Sequence, residues 1–561
     1  MYGPLLGAVL CLSRFGVARR VTPESWDLDA AFDEAWPAAA FNASADVRRL
    51  SARSPPLRQG GHHDSGFMPV RKDVHDAHLI NPAAHRVSRL PGLPADWTGE
   101  HYAGMIDSDD AHGGRLFYWF FEKSASGFPS AAPTPLLIWL NGGPGCTSMD
   151  GLFLENGPFA LKPGSTTQLD TRAASWHKAA HVLYIDQPVG TGFSHTGSNA
   201  YCRDDACITA QFKTFLTRFA LSYPALIMRD STHTVPIFFS GESHAGHYVP
   251  LMVQGLVARP DRIPLATASA PDFDVQGFAL GNAWIDPFHQ YDVSRFAQAL
   301  GLIDAVQGRK IKAAEKACQA QLAKLQLMGR QCWDLLDEVV RVTAKDHGGL
   351  KVNMYDTRES ARSTVAYPPG HDRLETFMNL PGVRTALHVD AQAPRFRECA
   401  NPPYDALRHQ DGLGVMPSLK YLLDRKKIRA LFYNGEHDLI CNHVGLERAL
   451  HNLDWGGARD FHRAVHAPWA RGGALAGYSK RFGLLTLLMV KDAGHMVPMN
   501  QPEAALEMIR KFIAGENFED EGVCEKKCLD SLSASARLHP SGDALVVDRR
   551  ARRGGHGSRR P

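Results

Sequence analysis

No stretch of this 561-residue chain stays apolar for the roughly 18 residues that a membrane span requires, so no integral membrane anchor is expected. Charge of one sign is also scarce. A net +3 over such a length makes no case for nucleic acid, and most of the basic excess sits in Arg549-Arg550-Ala551-Arg552-Arg553 and Arg559-Arg560, which read as a solvated tail. Cys-x-x-Cys repeats and Cys/His clusters at zinc spacing are missing, which argues against a metal, and no cofactor is expected. The chain lacks convincing internal repeats, and its single Asn-x-Ser/Thr sequon, Asn42-Ala43-Ser44, is close to chance.

What is present is ordinary globular composition, 44% apolar and 22% charged, enough for a large core with flexible ends. The ten cysteines read as disulfide formers in an oxidising compartment. Cys202/Cys207 and Cys318/Cys332 lie close enough in sequence to staple loops, although sequence does not fix the connectivity. Residues 1–20 hold a candidate signal segment, the apolar run Leu5 to Leu12, with no basic residue before it. Residues 21–86 show no sustained period and read as a largely disordered leader or pro-segment. The dibasic pairs Arg19-Arg20 and Arg48-Arg49 are either processing sites or exposed charges. Residues 516–561 are expected to be a disordered basic tail.

Between these ends, six short runs are apolar at consecutive positions: Pro135 to Leu140, His181 to Asp186, Val235 to Ser240, Asp274 to Leu280, Arg429 to Tyr433 and Leu485 to Lys491. That pattern suits strands buried on both faces. Helix-like stretches at Ala206 to Leu221, Gly246 to Leu256 and Pro502 to Ile513 alternate with them. The expected fold class is α/β, a mostly parallel sheet with helices on both faces. Roughly 150 residues separate Leu280 from Arg429, where one crossover needs about 30. Helical patterning at Lys310 to Leu327 and Cys332 to Val342 places an inserted helical cap at about 284–384, able to roof the carboxyl ends of the strands.

Chemistry concentrates in three loops. Phe238-Phe239-Ser240-Gly241-Glu242-Ser243-His244-Ala245-Gly246 reads as strand, tight turn and helix start, which pushes the Ser243 hydroxyl out of the sheet beside a helix N-terminus. A serine nucleophile needs a base and an orienting acid, which in this architecture follow in the order Ser, Asp, His. Asp438 in Asn434-Gly435-Glu436-His437-Asp438 and His495 in Asp492-Ala493-Gly494-His495-Met496 each follow a strand and fill those roles. His244 and His247 stand on the wrong segment for the base. The glycine-rich Asn141-Gly142-Gly143-Pro144-Gly145-Cys146 follows Pro135 to Leu140. There the Gly143 amide, with that of His244, would form an oxyanion hole.

Taken together with Asp186-Gln187-Pro188-Val189-Gly190-Thr191-Gly192-Phe193-Ser194 and Gly494-His495-Met496-Val497-Pro498, these segments resemble the serine carboxypeptidase family over roughly Val87 to Gly515. The resemblance implies an α/β-hydrolase catalytic domain over residues 87–515. Asp438-Leu439-Ile440-Cys441-Asn442, Trp455-Gly456-Gly457 and Cys146-x-x-Met149-Asp150-Gly151 look most like the fungal pheromone-precursor-processing members, which trim basic C-terminal residues. It implies that Trp139, Asn141, Glu155 and Glu242 hold the substrate's terminal carboxylate, one acid keeping a proton to donate, so that peptide binding is tightest in acid. It also implies Cys146–Cys399 as a disulfide and Cys441 as a free thiol near the site. Two positions depart from the family pattern, His244 where Tyr is usual and Thr147 where Ser is usual. The expected partners are peptide or protein C-termini, and the expected place is the secretory pathway, as a secreted, vacuolar or lysosome-like enzyme. Oligomeric state is not readable. An acyltransferase or esterase on the same scaffold, or a non-catalytic chaperone-like protein, are the competing readings.

Overall fold

Runs of apolar residues with no polar alternation can be satisfied only by burial on both sides, and here they form the centre of a ten-stranded sheet. The computed structural model describes residues 78–129, 133–258, 271–327, 330–345, 350–361 and 368–519. In chain order the sheet strands are β1 (His101–Asp109), β2 (Gly114–Phe121), β3 (Leu136–Leu140), β4 (His181–Asp186), β5 (Ile237–Glu242), β6 (Val275–Gly281), β7 (Arg429–Gly435), β8 (His466–Arg471), β9 (Ala474–Phe482) and β10 (Leu485–Val490). Their spatial order is β1-β2-β4-β3-β5-β6-β7-β10-β9-β8. The pairings from β4 to β10 are parallel, while β1–β2, β2–β4, β10–β9 and β9–β8 are antiparallel. The six predicted runs are the six parallel strands. Of the four antiparallel strands, β2 carries the same signature in Leu116 to Phe121, unread in the sequence, whereas β9 does not, because its buried residues alternate with half-exposed ones.

In β3, Leu136, Ile138 and Leu140 enter the core on one face, whereas Leu137 and Trp139 enter the core on the other. All five are 0% exposed, each contributing about 1.5–3 kcal/mol of transfer free energy. Helix α1 (Asp205–Ser222) starts where the Asp204 side chain accepts the Cys207 amide. Its stripe Ile208, Phe212, Phe215, Phe219 packs in the first core beside helix α2 (Ala245–Val257).

A third apolar cluster lies apart from the sheet. Helices α3 (Ala305–Leu322) and α4 (Arg330–Lys345), tied by Cys318–Cys332, bury Ile311, Cys318, Leu322, Leu335 and Val339 with Trp284, Tyr291 and Phe296. Leu439 and Cys441 complete this cluster. The insertion differs from the predicted one at its far end. Leu374, Phe377 and Met378 of the helix His371–Met378 pack in the second core of the sheet, because their i, i+3, i+4 spacing makes one apolar face that meets Phe153. A small ribbon, Lys351–Val352 with Ser360–Ala361, adds strand to the insertion.

Both outer boundaries also move. Residues 78–86, assigned to the leader by sequence, include the helix Pro82–His85 and the Arg86↔Tyr102 bridge, with His85 Nδ1 2.8 Å from the Tyr118 hydroxyl. At the other end Phe518 is buried against Trp469. Helix α5 (Pro502–Ala514) supplies the preceding core residues Met508, Ile509 and Phe512. The signal segment, the sequon, both dibasic pairs, most of the leader and the arginine-rich tail lie outside the described residues. Among the described residues no helix is long and apolar enough to cross a membrane.

Candidate active site

Strand order reverses around β3, whose neighbours β4 and β5 lie on opposite sides, and such a switch point opens a crevice at the carboxyl ends of parallel strands. Asn141 follows β3, Ser243 follows β5, Asp438 follows β7 and His495 follows β10, so chain positions far apart share one rim.

Ser243 has φ +60°, in the left-handed region that disfavours any residue with a Cβ. Its surroundings enforce the conformation. The Ser243 amide donates to Gly281 O at 3.0 Å, and its carbonyl accepts Gly246 N at 2.9 Å and Trp284 N at 3.0 Å. The glycine loop lies directly against this turn, since a Cβ on Gly142 would sit 2.6 Å from His244 N and 2.8 Å from Ser243 Cβ. Gly143 needs its φ of +110°. The loop backbone at Gly142, one residue before Gly143, is thereby held against the His244 amide. Asp186 organises the loop from beneath, accepting Thr147 Oγ1 at 2.5 Å and the amides of Ser148 and Phe193 at 3.0 and 3.2 Å. Cys146 is bonded to Cys399.

His495 Nδ1 stands 2.8 Å from Asp438 Oδ2, with both residues buried. Asp438 Oδ2 also accepts Asn282 Nδ2 at 2.7 Å, and Oδ1 accepts the amides of Ile440 and Cys441 at 3.1 and 3.3 Å. The His495 amide donates to Tyr355 O at 2.7 Å, and the Tyr355 ring stands edge-on to the imidazole at 5.2 Å. The Cys441 thiol is unpaired and buried, within hydrogen-bonding reach of the Ser243 hydroxyl. Its sulfur lies within 4.8 Å of the Asp438 and His495 polar atoms. Burial and then the Asp438 charge hold its pKa well above the usual thiol value. Ser243, Asp438 and His495 thus converge around Cys441. An imidazole held at Nδ1 by a carboxyl leaves Nε2 to move a proton.

Beside Ser243 lies a sealed polar group. Trp139 Nε1 and Gly151 N donate to Asn141 Oδ1 at 2.6 and 3.1 Å, which turns Asn141 Nδ2 toward Glu242 Oε1 at 3.0 Å. Trp139, expected to touch substrate, has its one polar hydrogen committed to this support. Glu155 comes from the wide helical turn Gly151–Asn156 and lies next to Glu242 and Asn141. Desolvation pushes Glu155 up to about 8 and, joined by the Glu155 charge, holds Glu242 well above the ordinary carboxyl range. Both Glu155 oxygens and Glu242 Oε2 are buried without a hydrogen-bond partner of good geometry. An arrangement of this kind keeps a proton that it can donate to an anion.

Three features went unread in the sequence. Asn282, which holds Asp438, follows β6 on the same rim, and its position past a strand end was the available signal. Asp150, buried, pairs with the half-exposed Glu398. Desolvation and then the Glu398 charge push Asp150 well above its usual range, and burial raises Glu398. The Cys146–Cys399 bridge and the bond from Thr147 N to Glu398 O, 2.8 Å, bring this pair together. Third, the His244 side chain turns away from the reacting groups, with Nδ1 2.8 Å from Asp411 Oδ1 and its ring stacked on His247 at 5.1 Å. His247 in turn faces Asp205 at 3.2 Å.

Comparison with known proteins agrees over most of the chain. The family model described as serine carboxypeptidase matches residues 91–515. A pheromone-processing carboxypeptidase KEX1 of Phytophthora infestans is 36% identical over 456 residues, covering 79% of this chain and 74% of that protein. Serine carboxypeptidase-like 48 of Arabidopsis thaliana is 32% identical, covering 78% of this chain and 82% of its own length. The crystal structure of Kex1(Δ)p, a prohormone-processing carboxypeptidase from Saccharomyces cerevisiae, aligns with a TM-score of 0.68 at 27% identity, over 78% of this chain and 97% of that one.

Proposed function

From the premise that this chain belongs to the serine carboxypeptidase family and is a hydrolase, we propose that it releases single residues from peptide C-termini through an acyl-enzyme on Ser243. His495 takes the serine proton and later returns it to the leaving amine, Asp438 holds the imidazole, and the amides of Gly143 and His244 receive the oxyanion. The observation that carries the exopeptidase reading is the sealed Glu155–Glu242–Asn141 group next to the nucleophile, with three carboxyl oxygens lacking a hydrogen-bond partner of good geometry. A proton kept on the pair lets it meet the substrate carboxylate as a donor instead of a repelling charge.

We further infer a preference for a basic leaving residue. Asp150 and the partly exposed Glu398 lie on the same turn and beside the same disulfide as the carboxylate site, and a cationic side chain placed there would draw this pair, raised by desolvation, back toward its charged form. The relatives named for pheromone processing support this choice. Three disulfides among the described residues fit an oxidising compartment, which we read as the lumen of the secretory pathway.

The test is release of terminal Arg, Lys, Leu and Phe from blocked dipeptides between about pH 4 and pH 8. Acid-favoured release, with Arg and Lys ahead, is expected. Ser243→Ala should lower kcat at least about a thousandfold. Release from C-terminally amidated dipeptides as fast as from free acids would sink the exopeptidase reading. Transfer of the acyl group to an added alcohol with no hydrolysis would replace it by acyl transfer.

A further inference from the structure

Glu155 has no regular helix or strand to hold it. Its turn, Gly151–Asn156, is a short wide helical turn, and such turns leave carbonyls without partners in their last residues. Here two carbonyls early in the turn and two just beyond it are gathered by one side chain. Arg172 Nη1 donates to Leu152 O at 3.1 Å, Gly157 O at 2.8 Å and Phe159 O at 3.1 Å, while Nη2 donates to Phe153 O at 2.7 Å. Two of the acceptors precede Glu155 and two follow it. Arg172 is itself placed by a small antiparallel ribbon, Phe159–Leu161 with Leu169–Thr171, and by its amide, which donates to Pro158 O at 2.7 Å.

We propose that Arg172 is a positioning residue for peptide binding: by clasping the turn on both sides of Glu155, it sets how tightly, and over what pH range, the Glu155–Glu242 pair takes a terminal carboxylate. This rests on the carboxylate-site reading above. A planar fork of donors serves four converging carbonyls as a lysine ammonium does not, because the guanidinium presents its hydrogens in a fixed plane. The same cation also acts through its charge. Glu155 faces Glu242 at the end of β5, Asn141 past β3, Asp150 at the start of its own turn, Tyr184 on β4 and Tyr433 on β7. Desolvation raises Glu155; the hydrogen bonds with Glu242 and Asn141 and, after them, the Arg172 charge oppose it, and with its own value lowered to about 10 by burial Arg172 stays charged across the working range. Without that charge the shared proton would be held to higher pH.

The experiment compares wild type, Arg172→Lys and Arg172→Gln on one blocked dipeptide and its C-terminal amide across the pH range, with melting curves for each protein. For the free acid, Arg172→Gln is expected to raise KM about tenfold in acid, leave kcat within about threefold, and move the pH at which KM climbs upward. Arg172→Lys, which keeps the charge and loses the fork, should raise KM less and leave that pH in place. Turnover of the amide should change far less than that of the acid in both variants. A KM and a pH profile unchanged in both would overturn the proposal, as would equal losses on acid and amide or failure of both variants to fold, which would mark Arg172 as a general structural residue. If wild type itself does not distinguish acid from amide, the carboxylate-site reading fails first, whatever the variants do.

Discussion

Two pairs of acidic residues sit side by side at the active site and differ in one respect. Glu155–Glu242 is sealed, while Asp150–Glu398 has one member partly exposed at the surface. The sealed pair is pushed toward the protonated state and can meet an anion. Desolvation raises the second pair as well, but its member that reaches the surface could be drawn back to the charged form by a cation placed beside it. On the function proposed above, the two pairs would form the two halves of a site for a C-terminal basic residue, one meeting the carboxylate and the other the cationic side chain.

The comparison breaks most severely if the sealed pair is dismantled. Glu242→Ala removes the acceptor of Asn141 and half of the shared-proton site, and KM for free-acid peptides at about pH 5 should rise by about a hundredfold, measured against the amide as control. Glu398→Gln attacks the open pair instead. Release of terminal Arg should fall by about tenfold in kcat/KM while release of terminal Leu stays within about threefold, so a uniform loss would refute the division of labour. The smallest effect belongs to Glu155→Gln, which imitates the protonated acid. Binding in acid should change little, but the rise of KM with pH should flatten. Stability tests the same point. The folded value of Glu155 is raised from 4.5 to about 8, so the native state holds the extra proton and loses that stabilisation as pH climbs between those values. The melting temperature of Glu155→Gln should therefore decline less than that of wild type over that window.

What the sequence revealed follows from how far each signal extends along the chain. Pro135 to Leu140 and its five companions were legible because burial on both faces writes itself into consecutive residues. β8 and β9 were not, since one face of each is partly wet and their apolar positions are thinly spread. Ser243, Asp438, His495 and the Asn141 loop stood in compact segments past strand ends. Glu398 did not, because it reaches Asp150 through a disulfide that closes 253 residues, and nothing local marks such a meeting. Arg172 was invisible for a related reason, as its partners are backbone carbonyls, which carry no residue identity.

The small apolar cluster of α3 and α4 has one further consequence, because it shares Leu439 and Cys441 with the segment that carries Asp438. Asp438, the proposed orienting acid, is thus anchored partly in a satellite core of modest size, and small clusters of this kind open at lower free energy than the main core. Heat should consequently extinguish peptide release while most of the β-structure is still intact, so that the working temperature limit of this enzyme is set by its insertion and not by its sheet.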